Sequence, residues 1–421
     1  MHKKRNCLIF FIIMLCLVGG IASYFVKQSR YTGEETDITY ENFDGDAARW
    51  NQGILIGNQQ MIFEGRVPQG LHYHNLNTAD TVSLCTIPDC EHNTDECQAQ
   101  FAPDCSIMVL YCYDGKLYAG GDTTMGELRF YCSEMDGTNH EKIASLRIAD
   151  DRYEEIHFED FYVYDSCVYI AVSMADTDEM KVLPSGYMSD VPLNIQIYCF
   201  DMKEKEFTKL YQAPKDYYQA CATIRYIYDG VLYYDFSAQT LPYEELYDET
   251  GELKDENIPD DGPSEVHALQ LDTGEDTVVP EYRYEDYIGC EGDEYYFIDI
   301  NEDMALSGDI FRKNLQTGES KTIHIPDLEG KDDAINEVKW LNHQFVVNEC
   351  NWDEETGNIY FYDTEGQQTG KIEDTVYYII GEDQDIYLLS DVHISTNAMA
   401  YIYKEDIDDW DKKIVLLEEE Q

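Results

Sequence analysis

The chain has 421 residues, 43% of them hydrophobic and 13% aromatic, and its 35 tyrosines far outnumber its 16 phenylalanines. It carries 85 acidic and 29 basic residues, a net charge of −56, and every acidic residue lies beyond position 30. Binding to nucleic acid requires clustered Lys and Arg, so this composition excludes a nucleic-acid partner. The acidity keeps a tyrosine-rich β protein soluble, and it also suits cationic ligands or divalent cations such as Ca²⁺.

The N-terminus combines a basic cluster with an uncharged apolar run. Three basic residues lie within the segment 1–6, and no charged residue occurs in 7–26. This run is long enough to cross about 30 Å of hydrocarbon and exceeds the ~7–15 residues of most signal-peptide cores. We therefore expect a single-pass signal-anchor at 7–26, with the basic end inside the cell, followed by a linker at 27–49.

Two other fates of this segment are weaker interpretations. A cleaved signal peptide is the main alternative, because Gly20-Ile21-Ala22 offers the small residues of a cleavage site. Lipid attachment at Cys16 is disfavoured, since the bulky Leu15 precedes that cysteine. With the anchor retained, we expect a cell-membrane protein whose chain beyond residue 30 lies outside the cytoplasm.

A short phrase of turn, apolar residue and tyrosine recurs along residues 50–417. Its clear copies are Asp114-Gly115-Lys116-Leu117-Tyr118, Asp165-Ser166-Cys167-Val168-Tyr169, Asp229-Gly230-Val231-Leu232-Tyr233, Gly292-Asp293-Glu294-Tyr295-Tyr296 and Asp383-Gln384-Asp385-Ile386-Tyr387. Weaker copies are Gln59-Gln60-Met61-Ile62 and His343-Gln344-Phe345-Val346. Asp-Gly between alternating apolar runs predicts a β-hairpin. A second turn often follows, as in Asp272-Thr273-Gly274-Glu275.

Each copy divides into four short strands. In the second copy the predicted strands are 107–113, 116–120, 128–134 and 142–146. One such unit cannot bury both of its faces, so the copies must pack against each other around an axis, as in a β-propeller. We predict an all-β, seven-bladed β-propeller at 50–417, with six or eight blades as alternatives, and an acidic tail at 418–421. A pair of β-sandwiches is disfavoured because the alternation of long and short predicted strands continues through the middle of the chain without a break.

On these turns the chain resembles the extracytoplasmic β-propeller proteins of Gram-positive gut bacteria of the Clostridia type. These belong to the broad TolB-like and PQQ-like propeller group of unknown function. The resemblance covers residues 50–417 and rests on the Asp-Gly…Tyr and Asp-Thr-Gly-Glu turns. It implies an extracytoplasmic propeller and names no ligand.

Four cysteines and a histidine lie within 21 residues, on the predicted link between the first two blades. We favour two disulfide bonds, which can form outside the cell and would stabilise a long loop with few apolar residues. The candidate cysteines are Cys85, Cys90, Cys97 and Cys105, and four cysteines allow three pairings. A structural Zn²⁺ site is the alternative, with candidate ligands Cys85, Cys90, His92 and Cys97. Only one residue separates Cys90 from His92, which strains tetrahedral ligation from a single turn.

Cysteines and histidines in the predicted strands have structural interpretations. The cysteines are Cys112, Cys132, Cys167, Cys199, Cys221, Cys290 and, just after a strand, Cys350. A buried free cysteine behaves as a small hydrophobic residue, which is the role we expect for these. His72 and His74 share one face of a strand, where a structural role is favoured over metal binding.

Two insertions interrupt the repeat, at residues 173–192 and 237–263. In a four-stranded meander A–B–C–D, the A–B and C–D turns lie on one face of the propeller, and the B–C loops and D–A links lie on the other. We therefore expect both insertions to rim one face with the Cys-rich link, as long loops on a rigid scaffold commonly bind ligands. The candidate binding residues are Tyr187, Tyr217, Tyr218, Tyr243 and Tyr247. Alternatively, residues 248–261, with seven acidic residues, form a disordered charged flap.

Catalytic motifs are missing from the sequence, which contains no Gly-x-Ser-x-Gly, His-Glu-x-x-His or glycine-rich phosphate loop. We predict a membrane-anchored propeller that binds a protein, peptide or glycan of the cell envelope, with no organic cofactor and with Zn²⁺ or Ca²⁺ as alternatives. The competing hypothesis is a carbohydrate-active or quinone-dependent propeller enzyme with a site in its central channel. Such a site would show clustered titratable side chains with shifted pKa values.

Overall fold

The part of the chain that the structure describes is the β-rich region. This computed structural model describes residues 54–57, 60–66, 69–92, 97–100, 106–123, 127–146, 155–175, 191–242, 262–279, 285–301, 305–332, 336–351, 356–383, 385–391 and 399–417. Among these residues, we find no helix with the length and apolar character needed to cross a membrane. The predicted anchor, linker and acidic tail lie outside the described residues and stay predictions.

Across the described residues, the chain forms seven four-stranded antiparallel sheets, each from four consecutive strands. We call them blades 1 to 7. Blade 1 contains β1 (Ile54–Gly57), β2 (Gln60–Arg66), β3 (Gln69–Asn75) and β4 (Asp80–Ser83). Blade 2 contains β5 (Ser106–Tyr113), β6 (Lys116–Asp122), β7 (Leu128–Glu134) and β8 (Glu141–Leu146). Blade 3 contains β9 (Glu155–Tyr164), β10 (Cys167–Ala175), β11 (Leu193–Asp201) and β12 (Glu206–Gln212).

The remaining blades repeat this pattern. Blade 4 contains β13 (Tyr218–Tyr228), β14 (Val231–Gln239), β15 (Ser264–Gln270) and β16 (Asp276–Val278). Blade 5 contains β17 (Glu285–Glu291), β18 (Glu294–Ile300), β19 (Leu306–Asn314) and β20 (Ser320–His324). Blade 6 contains β21 (Asn336–Leu341), β22 (Gln344–Asn351), β23 (Thr356–Tyr362) and β24 (Gln368–Thr375). Blade 7 contains β25 (Tyr377–Glu382), β26 (Ile386–Asp391), β27 (Met399–Tyr403) and β28 (Ile414–Leu417). Short 3-10 helices lie at Pro326–Leu328, Lys404–Asp406 and Trp410–Lys412.

The hairpin turns have the backbone conformation that their residues favour. Asp114 and Gly115 both have positive φ, 49° and 71°, as a two-residue turn between right-twisted strands requires. Asn342 and His343 adopt the same conformation, with φ of 47° and 58°, although neither is glycine. Their turn joins β21 to β22, so this weak copy of the repeat is a true blade. The prediction of a seven-bladed propeller is confirmed.

Aromatic side chains fill the spaces between neighbouring blades. First strands of adjacent blades lie side by side, β9 next to β13 and β17 next to β21, which makes them the innermost strands. Phe130 of blade 2 stacks on Phe200 of blade 3 with ring centroids 4.2 Å apart. Tyr296 of blade 5 stacks on Trp340 of blade 6 at 4.0 Å. Each blade therefore buries its two faces against its neighbours, as the repeat predicts.

Blades 7 and 1 close the ring through side chains, because neither contributes a strand to the other. Their shared core contains Ile54, Ile56, Met61, Phe63, Leu76, Ile386, Leu388 and Tyr401. His74 Nε2 lies 3.2 Å from the Tyr401 hydroxyl, and His74 Nδ1 lies 2.7 Å from Thr81 Oγ1. The Tyr403 hydroxyl donates to the Leu76 carbonyl at 2.5 Å. His74 is buried, which lowers its pKa, so it has the structural role that the sequence favoured.

We expect Tyr401 to carry much of this closure. Tyr401 has 0% of its surface exposed, so Tyr401→Ala should lower the free energy of unfolding by about 3–5 kcal/mol. Tyr401→Phe keeps the ring but loses the contact with His74, and should cost only ~1 kcal/mol. Urea unfolding measures both values. The control is Tyr164→Ala, at a tyrosine that is 46% exposed, with an expected change within about 0.5 kcal/mol. Equal losses for Tyr401→Ala and Tyr164→Ala would contradict closure by this side chain.

Candidate binding face and metal-ligand cluster

The chain after the short strand β4 completes the outer edge of blade 1. Strand β4 pairs with β3 only from His72 to Asn75. Beyond it, the Leu84 amide donates to the Leu71 carbonyl, and the Leu71 amide donates to the Ala99 carbonyl, both at 2.8 Å. We call residues 84–92 and 97–100 the Cys segment. It supplies the hydrogen bonds that a longer β4 would otherwise make.

The Cys segment packs against blades 1 and 2 at close range. A Cβ atom at Gly70, where φ is +125°, would lie 2.6 Å from the Ala99 carbonyl oxygen. A Cβ atom at Gly137, in the second turn of blade 2, would lie 2.7 Å from the Leu84 carbonyl oxygen. The segment is thus fixed at the outer edge of the junction between these blades. Whether it shares a rim with the loops of blades 3 and 4 stays a prediction.

Four side chains of the Cys segment converge on one point. The sulfurs of Cys85, Cys90 and Cys97 and a ring nitrogen of His92 all lie within 4.8 Å of one another. His92 Nδ1 is 3.3 Å from Cys97 Sγ, and Cys97 is fully buried. Among the described residues, this is the one group of His, Cys, Asp or Glu with the spacing of metal ligands.

The prediction of two disulfide bonds among Cys85, Cys90, Cys97 and Cys105 is not supported by the structure. Cys85, Cys90 and Cys97 are free thiols, and Cys105 lies outside the described residues. The physical reason is that the backbone directs all three sulfurs toward a common centre, whereas a disulfide needs two sulfurs about 2.05 Å apart. The other cysteines predicted to be free, from Cys112 to Cys350, are free in the structure.

Left-handed backbone relieves the strain expected from the single residue between Cys90 and His92. Asp89 and His92 both have φ of 55°, so the chain reverses direction on each side of Cys90. The Cys90 amide donates to the Ile87 carbonyl at 3.3 Å and closes the turn. Gln100 Nε2 donates to the His92 carbonyl at 3.2 Å and holds the other end. The two ligands can therefore face one point.

The electrostatics of the cluster centre on Cys97. Burial raises the pKa of the Cys97 thiol to about 12, and the thiols of Cys90 and Cys85 act in the same direction. The backbone amides of Ala99 and Gln100 donate to this sulfur and act in the opposite direction. A sulfur that accepts two amide hydrogens is prepared to carry negative charge once a cation offsets the burial.

The candidate tyrosines divide between the described and the undescribed parts of the chain. Tyr187, Tyr243 and Tyr247 lie outside the described residues and stay predictions. Tyr217 is half-buried, with its ring 5.3 Å from that of Phe236 and Lys215 Nζ 4.6 Å from its centre. Tyr218 is half-buried at the start of β13, opposite Gln239. Tyr217 and Tyr218 therefore lie next to the stems of the loops, and their role in binding stays a prediction.

The stems of the two long loops are joined into one rigid unit. One loop connects Ala175 to Leu193, in blade 3, and the other connects Gln239 to Ser264, in blade 4. Leu193 and Tyr217 exchange two backbone hydrogen bonds, of 2.6 and 2.9 Å. These bonds fix the exit of the first loop to the strand that begins blade 4.

A buried asparagine, which sequence reasoning missed, supports this junction. Asn194 is almost fully buried, and its side-chain amide donates to the Ala213 carbonyl at 3.2 Å and to Asp216 Oδ1 at 2.9 Å. Gln196 donates to Asn194 Oδ1 at 3.1 Å and continues the network along β11. The alternation of polar residues at 194 and 196 was the available signal, since a core strand would normally place apolar residues there.

Charged residues occur on the innermost strands, where the enzyme hypothesis requires them. In blades 3 and 4 the bulges of these strands are at Glu159 and Arg225. Arg225 is buried, and its guanidinium donates to Asp235 at 2.7 Å and to Asp286 of blade 5 at 3.5 Å. Glu159 accepts a short hydrogen bond from Ser173, and burial raises its pKa. Arg225 therefore braces blade 4 against blade 5, and Glu159 braces β9 against β10.

A pair of thiols on neighbouring strands was also missed. Tyr169 is opposite Cys199 in the register of β10 and β11, which places Cys167 diagonally next to Cys199. Their hydrogen bond lowers the pKa of Cys167 to about 7, whereas the pKa of Cys199 is raised by the same bond and by burial. The pairing of β10 with β11 brings these two cysteines together across the loop from Ala175 to Leu193, so no local pattern in the sequence indicated it.

Comparisons with known proteins concern the fold alone. The sequence matches no protein-family model and no curated protein. The structure is similar to YjhT, with a TM-score of 0.44 and 10% identity over 73% of this chain and 96% of that one. It is similar to an oligogalacturonate lyase in complex with manganese, with a TM-score of 0.46 and 11% identity over 82% and 85% of the two chains. The β-propeller domain of the trilobed protease of Pyrococcus furiosus gives a TM-score of 0.44 and 10% identity over 88% and 96%.

The thiol pair gives a prediction for alkylation. Because the thiolate is the reactive form, iodoacetamide should modify Cys167 with a midpoint near pH 7, well before Cys112, whose pKa burial raises to about 11. Cys199→Ala removes the hydrogen-bond donor, so the pKa of Cys167 should return toward about 8.5 and its rate at pH 7 should fall roughly tenfold. Peptide mass spectrometry across pH measures each site. A Cys167 midpoint that does not respond to Cys199→Ala would contradict the coupling.

Proposed function

We propose that this protein is a membrane-anchored, outward-facing β-propeller that binds a partner from the cell envelope. The observation that carries the proposal is the rigid junction between the stems of the two long loops, at Leu193 and Tyr217. Loop stems that are fixed to each other lower the entropic cost of forming a binding surface at this place. The apolar, uncharged run at 7–26 and the basic segment before it support the anchor and its orientation.

The binding surface that we propose consists of the loop pair, residues 176–192 and 240–263, with the stem residues next to it. Gln239 Oε1 is buried at this stem and has no hydrogen-bond partner among the described residues. A buried acceptor of this kind favours a ligand that brings an N–H donor. The segment 248–261 contributes seven acidic residues to the second loop.

Charge selects the chemistry of the partner. A surface of this sign attracts Lys- or Arg-rich protein segments and repels anionic lipids and acidic wall polymers. We therefore propose a basic protein or peptide segment as the preferred ligand, with an envelope glycan as the weaker candidate. The enzyme alternative has no comparable support, because Glu159 and Arg225 are engaged in contacts within and between blades.

Titration of the full chain with short synthetic peptides tests this proposal. Basic peptides should bind, with an affinity that falls as salt rises, whereas acidic and neutral peptides of equal length and solubilised wall glycans should bind more weakly. Neutralising four acids of the second loop, as E244Q, E245Q, D248N and E249N, should weaken binding by about tenfold. Calorimetry measures the dissociation constants.

The matched control removes the same number of charges from the A–B turns, which we expect on the face of the propeller opposite the two long loops. Its substitutions are D114N, D165N, D229N and D293N, which keep residues tolerant of left-handed backbone. We expect this variant to bind as the wild type does. Equal weakening in both variants would show attraction to net charge alone, and a lack of binding by every peptide and glycan would overturn the proposal.

A further inference from the structure

We propose that Cys85, Cys90, His92 and Cys97 bind one structural Zn²⁺ ion. Three thiolates and one imidazole in tetrahedral array are a standard ligand set of structural zinc sites. Zinc–sulfur bonds of about 2.3 Å place ligand sulfurs about 3.8 Å apart, and the four ligand atoms here already lie within 4.8 Å of one another. Only a small contraction would bring them onto a common ion.

The ligands come from two turns that are held by other bonds. Thr86 donates to Gln98 Oε1 through its amide at 2.7 Å and through its hydroxyl at 2.8 Å. This pair joins the turn that carries Cys85 and Cys90 to the turn that carries Cys97. Because these bonds do not involve the ligands themselves, they fix the geometry before a metal arrives, which favours binding.

The surroundings of Cys97 are those of a metal-bound thiolate. The amides of Ala99 and Gln100 donate to its sulfur, which orients it and supports its charge in the bound state. The Gln100 amide also donates to the Cys97 carbonyl at 3.1 Å and closes the turn. Such contacts around a ligand raise metal affinity as the outer shell of known sites does.

The place of the cluster in the fold explains what a metal would stabilise. The Cys segment covers the part of β3 beyond its pairing with β4 through the Ala99–Leu71 hydrogen bond, and its buried apolar side chains are Leu84, Cys97 and Ala99. A connection with so little core cannot hold its shape by burial, so a metal can supply the missing stabilisation. All four positions are protein ligands, which makes the site structural rather than catalytic.

Metal analysis of the full chain tests the inference. We expect one zinc per chain in protein purified without added metal, and none after Cys90→Ser. The control is Cys221→Ser, at a strand cysteine that already shares a 3.0 Å hydrogen bond with Ser237, and it should keep one zinc. Replacement with Co²⁺ should give the intense thiolate-to-metal absorption and the visible bands of a tetrahedral site.

A second measurement protects the test if Cys90→Ser fails to fold. Removal of the metal from the wild type by a chelator should expose three more thiols to alkylation, and zinc should protect them again. Protein that is folded yet holds no zinc and takes up no Co²⁺ would overturn the proposal. So would a peptide map in which two of these cysteines have lost two hydrogens to a disulfide. None of these outcomes depends on the partner that the loop pair binds.

Discussion

Blades 7 and 1 meet through a packed core of side chains, and the remaining architecture depends on this contact. Every blade is built from four consecutive strands, and among the described residues no exchanged strand ties the two ends of the ring together. Each blade also needs a neighbour on both faces, because a single four-stranded sheet leaves apolar surface exposed. If the contact around Tyr401 opened, blade 1 would expose a face rich in Ile, Met and Phe, and blade 7 would expose Ile386, Leu388 and Tyr401. Closure therefore stabilises the whole ring.

Tyrosine suits the spaces between blades for a physical reason. Its ring supplies apolar area for burial, and its hydroxyl reaches the sheet edge, where polar partners are available. Tyr387 is buried, and its hydroxyl accepts hydrogen bonds from Asn342 at 3.1 Å and from Gln344 at 2.7 Å, across the boundary between blades 6 and 7. Within blade 4, the buried Tyr234 donates to Asp276 at 3.2 Å. The same residue type thus packs blades together and orients them.

The local parts of this structure could be predicted from sequence. In blade 2 the predicted strands 107–113, 116–120, 128–134 and 142–146 correspond to β5 to β8 with small differences at their ends. Alternating burial and turn residues act over a few positions, so a sequence window contains the whole signal. The weak copy at His343 forms a true hairpin in the structure, because Asn342 and His343 adopt left-handed backbone.

The site could not be predicted in the same way. Cys85, Cys90, His92 and Cys97 were recognised as a group, but the choice between sulfur pairs and a shared centre depends on positive φ at Asp89 and His92. It also depends on contacts with Gly70 and Gly137, which are distant in sequence. The Asn194 network depends on Ala213 and Asp216 of another segment. Such contacts follow from the docking of segments, which no local pattern contains.

The scarcity of basic residues gives the surface of this protein its character. Several of the cations brace strands and blades, as Arg225 does with Asp286 and as Lys331 does with Glu349 at 2.9 Å. Cations used in this way cannot offset the acids elsewhere, so the outer surface stays strongly negative. Repulsion among these acidic side chains destabilises the folded chain. Contacts that hold the fold together without ion pairs are therefore especially important. Aromatic packing at the ring closure is a contact of that kind, and the zinc ion that we propose at the Cys segment would supply another. Under the proposed function, the negative charge of the chain attracts a cationic partner to the loop pair.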